Sequence, residues 1–164
     1  KQWIGNGLVI PSGPLREGLI ALKRADCVMI NGEKNTDIEN RILRHNKEIK
    51  IFYSKYKAQN IDKFKNKKVT AFAGIGNPVN FFNLLKNNNI DILEEISFPD
   101  HYEYLDKELE NLIYKAKENH TILLTTEKDY FRINENYKKN INCLKIVVEI
   151  ENRNQFIAEI KKVI

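Results

Sequence analysis

The 164-residue sequence contains few cysteines and no motif that would give them a shared role. Its two cysteines, Cys27 and Cys143, lie far apart in strand-like runs, and no C-x-x-C pair is present. We therefore expect buried free thiols in a reducing compartment rather than a disulfide or a zinc site. No apolar run approaches the roughly 18 residues that a membrane-spanning helix needs, so no transmembrane helix is expected.

Several catalytic motifs are also missing. The sequence has no G-x-x-x-x-G-K-[ST] loop, no G-x-S-x-G elbow and no H-E-x-x-H segment. Neither a complete nucleotide site nor a hydrolase or zinc site can therefore be assigned to this chain by motif. The first residue is Lys1, and the N-terminal residues have the features of neither a signal peptide nor a transit sequence. We expect the chain to be the later part of a longer sequence.

What is present is the composition of a soluble globular protein, with 42% hydrophobic and 30% charged residues. The formal net charge of +5 is spread over lysine-rich segments such as 63–68. This charge indicates either a solvated surface or attraction to anionic lipid or nucleic acid. The length fits one domain, and we predict a hinge or linker segment at residues 1–13 followed by an α/β lobe at residues 14–164.

Short apolar runs alternate with helical patterns along the chain. This alternation predicts an α/β fold, with a mostly parallel sheet and helices on both faces. Strands are predicted at 26–31, 49–56, 68–73, 90–98, 121–125 and 143–150. Helices are predicted at 14–24, 36–46, 78–87, 105–119 and from about 154, with a short turn at 127–132. Pro14 suits the first turn of the first helix, and Thr36 with Glu39 forms a capping-box pattern for the second.

Three loops follow predicted strands: GIGNP, PDHYEY and TEKDYFR. In an open parallel sheet, ligands bind outside the carboxyl ends of the strands, so these loops are expected to open on one edge. GIGNP either presents backbone N–H groups to an anion or is only a tight turn. The TTEKD segment is either a capped helical turn, with Thr126 as N-cap and Asp129 answering it, or part of a cleft.

Two pairs of residues have chemical potential of their own. Asp100 and His101 lie side by side in FPDHYEY, where His101 could act as a general base or the pair could belong to a turn that caps the next helix. Arg16 and Glu17 open a predicted helix, where they could hold a phosphate and a cation or simply be surface charges.

Taken in order, these segments resemble the C-terminal half of the tetraacyldisaccharide 4'-kinase family, the lipid A 4'-kinases. The segments that match are GNGLVIPSGPLRE, RADCVMIN, AFAGIGNPVNFF, FPDHYEY and LLTTEKDYFR. The resemblance covers nearly the whole chain. It implies a Rossmann-like C-terminal lobe of a two-lobe P-loop-type kinase, peripheral at the cytoplasmic side of the inner membrane of Gram-negative bacteria.

The family's reaction, by the same resemblance, transfers the γ-phosphate of ATP, with Mg²⁺, to the 4'-hydroxyl of the tetraacyldisaccharide 1-phosphate precursor of lipid A. ATP and Mg²⁺ would be bound mainly by the P-loop lobe, which is absent from this sequence, so the chain alone is expected to be inactive. The implied partners are the lipid A precursor, an anionic membrane surface and a separately encoded N-terminal lobe, with no nucleic acid. The alternative is a non-catalytic basic α/β module that binds membrane lipid or nucleic acid.

The resemblance also implies roles for individual residues. His101 would partner an aspartate of the other lobe in activating the sugar hydroxyl, and Asp100 would orient it. Six further residues would line the substrate and phosphate cleft: Arg16, Glu17, Gly74, Gly76, Asn77 and Lys128. Glu17 would also be a metal ligand. Lys128 is included only because it lies in the matching TTEKD segment, for which the residues themselves indicate no role.

Overall fold

The computed structural model describes residues 3–163 and divides the chain into two compact units. One unit is formed by Lys1–Tyr56 together with Val148–Ile164, and the other by Lys57–Val147. Lys1, Gln2 and Ile164, which belong to the predicted segments 1–13 and 14–164, lie outside the described residues. The predicted boundary at residue 13 stays a prediction.

Seven strands and six α-helices are present among residues 3–163, together with two 3₁₀ helices, Leu19–Arg24 and Ile61–Phe64. The strands are β1 (Cys27–Asn31), β2 (Lys50–Ala58), β3 (Lys68–Ala73), β4 (Asp91–Ser97), β5 (Ile122–Thr126), β6 (Asn142–Leu144) and β7 (Ile146–Ile150). The helices are α1 (Thr36–Leu43), α2 (Pro78–Asn87), α3 (Asp106–Glu118), α4 (Glu127–Arg132), α5 (Glu135–Lys138) and α6 (Arg153–Ile160).

The first unit is built on a three-stranded sheet in the order β1-β2-β7. β1 and β2 are parallel, with Cys27 opposite Lys50 and Asn31 opposite Ser54. Buried side chains from β1, β2, α1 and the segment before β2 form its core: Ile30, Ile38, Ile42, Ile49 and Tyr53. This core is small, and it lies between one sheet and α1.

The second unit contains a four-stranded sheet in the order β4-β3-β5-β6, in which every neighbouring pair is parallel. Alternate residues of β3 are buried in two different clusters, Ala71 with the apolar side chains of α2 and Phe72 with those of α3. Helices therefore cover both faces of this sheet. The predicted fold class, α/β with parallel strands and helices on both faces, is confirmed.

The predicted helix at 14–24 is wrong over its first half. Only Leu19–Arg24 is helical, as a 3₁₀ helix that begins after Gly18. The backbone N–H of Leu15 donates to Leu8 O at 3.2 Å, and Ile10 N–H donates to Leu15 O at 2.8 Å. Because these groups close a loop with the preceding segment, they are not available to an α-helix that begins at Pro14.

The predicted cap of α1 is also wrong by one residue. Asn35, not Thr36, is the N-cap, and its side chain accepts a hydrogen bond from the backbone N–H of Ile38 at 3.0 Å. Glu39 accepts a hydrogen bond from the hydroxyl of Tyr53 on β2 at 2.7 Å. Asn and Thr are both good N-caps, so the Asn-Thr pair in the sequence leaves the choice open.

The predicted strand at 143–150 is two strands in different sheets. β6 pairs with β5 in the four-stranded sheet, and β7 belongs to the three-stranded sheet. Lys145 separates them: its N–H donates to Asn60 Oδ1 at 2.8 Å, and its carbonyl accepts from Gln59 N–H at 2.9 Å. The apolar run is continuous in sequence, but its hydrogen-bond partners change at this residue.

Candidate functional site

Three loops of the second unit meet at the carboxyl edge of its sheet, and Gly74 lies at their meeting point. The Gly74 N–H donates to Asp129 Oδ2 at 3.0 Å. The Gly74 carbonyl accepts from the His101 N–H at 3.2 Å and from Arg132 Nη1 at 3.4 Å. The loops that follow β3, β4 and β5 are thus linked through the backbone of one residue, which confirms the prediction that they open on the same edge.

Gly74 is required for space rather than for backbone freedom. A Cβ at this position would lie 2.8 Å from the Tyr104 hydroxyl, 3.1 Å from Tyr102 Cβ and 3.2 Å from Asp129 Oδ1. Separations this short put the added methyl in steric overlap with its neighbours. The predicted part of Gly74 in shaping the loop has this concrete basis, although its role in a cleft stays a prediction.

Asp129 is a fully buried carboxylate, with 0% of its surface exposed. Its backbone N–H donates to Thr126 Oγ1 at 3.1 Å, as expected for an N3 residue facing an N-cap threonine. The Thr126 hydroxyl in turn donates to Asp129 Oδ2 at 2.7 Å. The other carboxylate oxygen, Oδ1, has no hydrogen-bond partner among residues 3–163. TTEKD is therefore a capped helical turn whose aspartate also holds the loop after β3.

His101 is exposed and has an unusual backbone conformation. Its φ is 61°, in the left-handed region that few non-glycine residues adopt. Its ring nitrogens face two cationic side chains of α4, with Nδ1 2.9 Å from Arg132 Nη2 and Nε2 3.5 Å from Lys128 Nζ. The structure thus brings the predicted residues His101 and Lys128 together, and adds Arg132 to them.

Asp100 contacts the backbone of His101 more closely than its ring. Oδ1 accepts from the His101 N–H at 3.0 Å, whereas Oδ2 lies 3.9 Å from Nε2. Lys128 Nζ lies 3.5 Å from Asp100 Oδ1. Partial desolvation raises the pKa of Asp100, but the charges of Lys128 and His101 and the hydrogen bonds outweigh it, so the pKa lies below its ordinary value. Asp100 is therefore a carboxylate at neutral pH.

Aromatic rings support this loop from below. Tyr104 packs edge-on against Phe72, Phe98 and Tyr102, with ring centroids 5.5, 5.1 and 5.4 Å away. Burial, and then the negative charge of Asp129, raise the pKa of Tyr104 far above its ordinary value. The loop that carries His101 therefore rests on a rigid aromatic base.

The other predicted residues of the GIGNP loop lie at the same edge. A Cβ on Gly76 would lie 3.2 Å from Asp100 Oδ2, so this glycine allows the loops after β3 and β4 to approach closely. Asn77 is the N-cap residue of α2, but its side chain makes no capping hydrogen bond. Pro78 follows at the first turn, where its missing N–H leaves no donor unpaired.

Arg16 and Glu17 belong to the first unit. Both are exposed, and Glu17 forms an ion pair with Arg24. They line an open pocket of about 430 Å³ formed by neighbouring residues of the same segment. Within residues 3–163, no three His, Cys, Asp or Glu side chains are grouped so that they could hold a metal ion. Glu17 as a metal ligand stays a prediction.

Two residues of the site, Asp129 and Arg132, are not among those predicted from the sequence. The sequence indicates Asp129 only as the partner of a helix cap, and Arg132 only as the last residue of the TEKDYFR loop. Their spacing places both on one side of α4, the side that faces the loop after β3. The available signal is an Asp and an Arg three residues apart, directly after a buried strand that ends in a capping Thr.

Comparison with known proteins identifies relatives over the whole chain. A family model described as tetraacyldisaccharide-1-P 4'-kinase matches residues 1–164. The tetraacyldisaccharide 4'-kinase of Pelagibacter ubique (strain HTCC1062) is 44% identical over 142 residues, which are 85% of this chain and 45% of that protein. The enzyme of the same name from Rickettsia akari (strain Hartford) is 41% identical over 163 residues, 99% of this chain and 49% of that protein.

A solved structure agrees with these matches. LpxK from Aquifex aeolicus, crystallised in an "apo" form in complex with ATP, aligns with a TM-score of 0.64 and 27% identity over 94% of this chain and 48% of that one. The chain spans about half the length of the curated relatives it matches. The resemblance seen in the sequence motifs is confirmed, and the chain belongs to the tetraacyldisaccharide-1-P 4'-kinase family.

Proposed function

We propose that this chain is the C-terminal part of a kinase that transfers the γ-phosphate of ATP to the 4'-hydroxyl of a tetraacyldisaccharide 1-phosphate. The observation that carries the proposal is the family match across residues 1–164, together with relatives named for this activity. The convergence of three loops around His101 supports it, because the carboxyl edge of a parallel sheet is where such folds bind ligands.

The part that this chain contributes is positioning and charge rather than a complete site. Phosphoryl transfer depends mainly on alignment of the reactants and stabilisation of charge. We assign to His101 the activation of the sugar hydroxyl, together with an aspartate of the other lobe. Asp100 orients His101 by accepting a hydrogen bond from its backbone N–H. Gly76, Asn77 and Lys128 are assigned to the same substrate and phosphate cleft, and Arg16 and Glu17 to its phosphate and metal side.

ATP and Mg²⁺ are assigned mainly to a P-loop lobe that this sequence does not contain. The solved relative is an ATP complex, which supports the use of ATP in the family. The chain lacks a G-x-x-x-x-G-K-[ST] loop, so it is proposed to be inactive without that lobe.

A chimaera tests this function. The matched half of the Rickettsia akari enzyme is replaced by this chain, which covers 49% of it. We expect ATP-dependent and Mg²⁺-dependent phosphorylation of tetraacyldisaccharide 1-phosphate by the chimaera and none by this chain alone. His101→Gln in the chimaera is expected to lower kcat by about 10² to 10⁴, the usual contribution of a group that assists proton transfer. A folded chimaera that transfers no phosphate, while the unmodified relative does, would contradict the proposal.

A peripheral position on the cytoplasmic side of the inner membrane is part of the same proposal. The net charge of +5 favours an anionic lipid surface. Within residues 3–163, none of the helices has the length and apolar character needed to cross a bilayer. Sedimentation with vesicles tests the membrane partner: binding to anionic vesicles that weakens with added salt is expected, and equal binding to neutral vesicles would contradict it.

A further inference from the structure

Arg132 connects the buried part of the site to the exposed ring of His101. Its Nη1 lies 3.7 Å from Asp129 Oδ1 and donates to the Gly74 carbonyl at 3.4 Å. Its Nη2 lies 2.9 Å from His101 Nδ1. The Arg132 side chain is 25% exposed, whereas that of His101 is 71% exposed. The arginine is therefore fixed by its contacts with Asp129 and Gly74, and it in turn restricts the imidazole of His101.

The chemistry of the two groups restricts how they can meet. A guanidinium has five N–H donors and no acceptor, and it stays protonated at any working pH. The nitrogen of His101 that faces it must therefore be the hydrogen-bond acceptor. A neutral imidazole carries one proton, so an accepting Nδ1 leaves that proton on Nε2.

Lys128 approaches the other ring nitrogen and would favour the opposite arrangement. Its Nζ is 3.5 Å from Nε2, at the limit of a hydrogen bond, and it is also 3.5 Å from Asp100 Oδ1. The contact of Arg132 with Nδ1 is shorter by 0.6 Å (3.5 minus 2.9) and its side chain is less exposed. The shorter and more buried contact decides which nitrogen accepts.

We propose that Arg132 is a positioning residue that fixes neutral His101 in the Nε2–H form, so that the ring donates a hydrogen bond to an oxygen atom. The acceptor would be a carboxylate or hydroxyl oxygen brought to the Nε2 side. Asp100 Oδ2 lies 3.9 Å from Nε2, too far for a hydrogen bond. The identity of the oxygen rests on the proposed function, whereas the position of the proton does not.

Asp129 gives Arg132 its fixed place. The carboxylate is fully buried and is held by the Gly74 N–H and the Thr126 hydroxyl, so it cannot follow a moving side chain. Two opposite pairs, Asp129 with Arg132 and Asp100 with Lys128, surround the ring. The formal charges of these four groups cancel, which favours a hydrogen-bond donor role for the ring over the binding of an anion by the ring.

Nitrogen-15 NMR of the imidazole measures the tautomer directly on this chain. The sequence has three histidines, so a His45→Gln, His120→Asn background leaves the His101 ring alone. Asn suits position 120, where φ is 51°. At a pH where the ring is neutral, we expect one dominant form, with the proton on Nε2 and an unprotonated Nδ1.

Two variants separate positioning from packing. Arg132→Met keeps much of the aliphatic chain and removes every donor, and is expected to move the two ring nitrogen shifts toward each other as the tautomers mix. Lys128→Met, the matched control, removes the other cation beside the ring and is expected to leave Nδ1 unprotonated. If Arg132→Met does not fold, Arg132→Lys, which keeps the charge beside Asp129 but has one nitrogen instead of three, is expected to show the same change.

A proton on Nδ1 in the unmodified site, or unchanged ring shifts in folded Arg132→Met and Arg132→Lys, would overturn the proposal. The measurement uses neither ATP nor the kinase reaction. A failed chimaera assay therefore leaves the tautomer result standing, and a failed tautomer result leaves the proposed kinase function standing.

Discussion

The carboxylate of Asp129 accepts a hydrogen bond from the backbone N–H of Gly74 at 3.0 Å, although 55 residues separate them in sequence. The bond joins the end of β3 to the first turn of α4. It is buried, so neither partner can exchange it for water. The shape of the edge that carries His101 therefore depends on this carboxylate.

Asp129→Ala is expected to lower the free energy of unfolding by about 1 to 3 kcal/mol, because the buried Gly74 N–H loses its acceptor. Urea unfolding followed by circular dichroism measures the change. Asp100→Ala is the matched control, since its carboxylate also accepts a backbone N–H but is 46% exposed. The control is expected to change the free energy by less than about 0.5 kcal/mol, as surface substitutions usually do. Equal losses in the two variants would contradict the role given to Asp129.

Gly74→Ala is expected to destabilise the fold by about 1 to 3 kcal/mol, because the added methyl overlaps the Tyr104 hydroxyl and the Tyr102 Cβ. Aromatic rings pack around Tyr104, so it cannot move aside freely. Gly18→Ala serves as the control: its new Cβ would meet nothing closer than 3.9 Å, and the backbone there is extended. It is expected to be neutral or stabilising by roughly 0.4 to 1 kcal/mol. Thermal unfolding of both variants measures these changes in stability. A Gly74→Ala variant as stable as the parent would rule out steric overlap as the reason for glycine at this position.

Glu108→Gln is expected to lower stability at neutral pH and to have less effect in acid. The Glu108 carboxylate accepts from the Tyr102 hydroxyl at 2.7 Å and from the Leu105 N–H at 2.9 Å, and these bonds lower its pKa. A lowered pKa in the folded state adds stability above the ordinary glutamate pKa. That stability is lost as the pH falls through the lowered value.

Unfolding curves of Glu108→Gln and the parent at a series of pH values test this expectation. The difference between them should shrink steadily below the ordinary glutamate range. Glu103→Gln, at an exposed residue of the same loop, is the control, because it removes one carboxylate and leaves both hydrogen bonds of Glu108 in place. A constant difference at all pH values would show that the Glu108 charge is not the cause.

The thiol of Cys143 is expected to react slowly. Burial, followed by the negative charge of Glu127, raises its pKa, so less thiolate is present at a given pH. In a Cys27→Ser variant, where Cys143 is the only thiol, the rate of alkylation by iodoacetamide should rise with pH at a higher midpoint than in the unfolded chain. Identical midpoints for the folded and unfolded chain would contradict the effect of burial.

The second unit is largely predictable because its elements are buried and regular. The predicted bounds of β3 and α2 match the structure, and α3 differs from its prediction by one residue at each end. β3 is nearly continuous in apolar residues because helices cover both of its faces. With these elements in place, the strand order alone brings three loops to one edge.

The remaining features depend on contacts between distant residues. The contact of Arg132 with His101 crosses 31 positions, and the backbone of His101 is left-handed, which no local pattern signals. The division between β6 and β7 depends on where Gln59 and Asn60 bind Lys145. Local periodicity contains no information about these long-range contacts. A prediction from sequence therefore merges β6 and β7 into one strand and omits Arg132 from the site.

The left-handed conformation of His101 has an evolutionary consequence. Glycine adopts φ near 61° without strain and asparagine with little, whereas a residue held there in a sparsely populated region costs about 1 to 3 kcal/mol. Directed evolution that selects for heat resistance alone is therefore expected to replace His101 by one of these two residues. Under the proposed role of His101 in the kinase reaction, stability and activity favour different amino acids at this position, and only a selection for activity is expected to keep the imidazole.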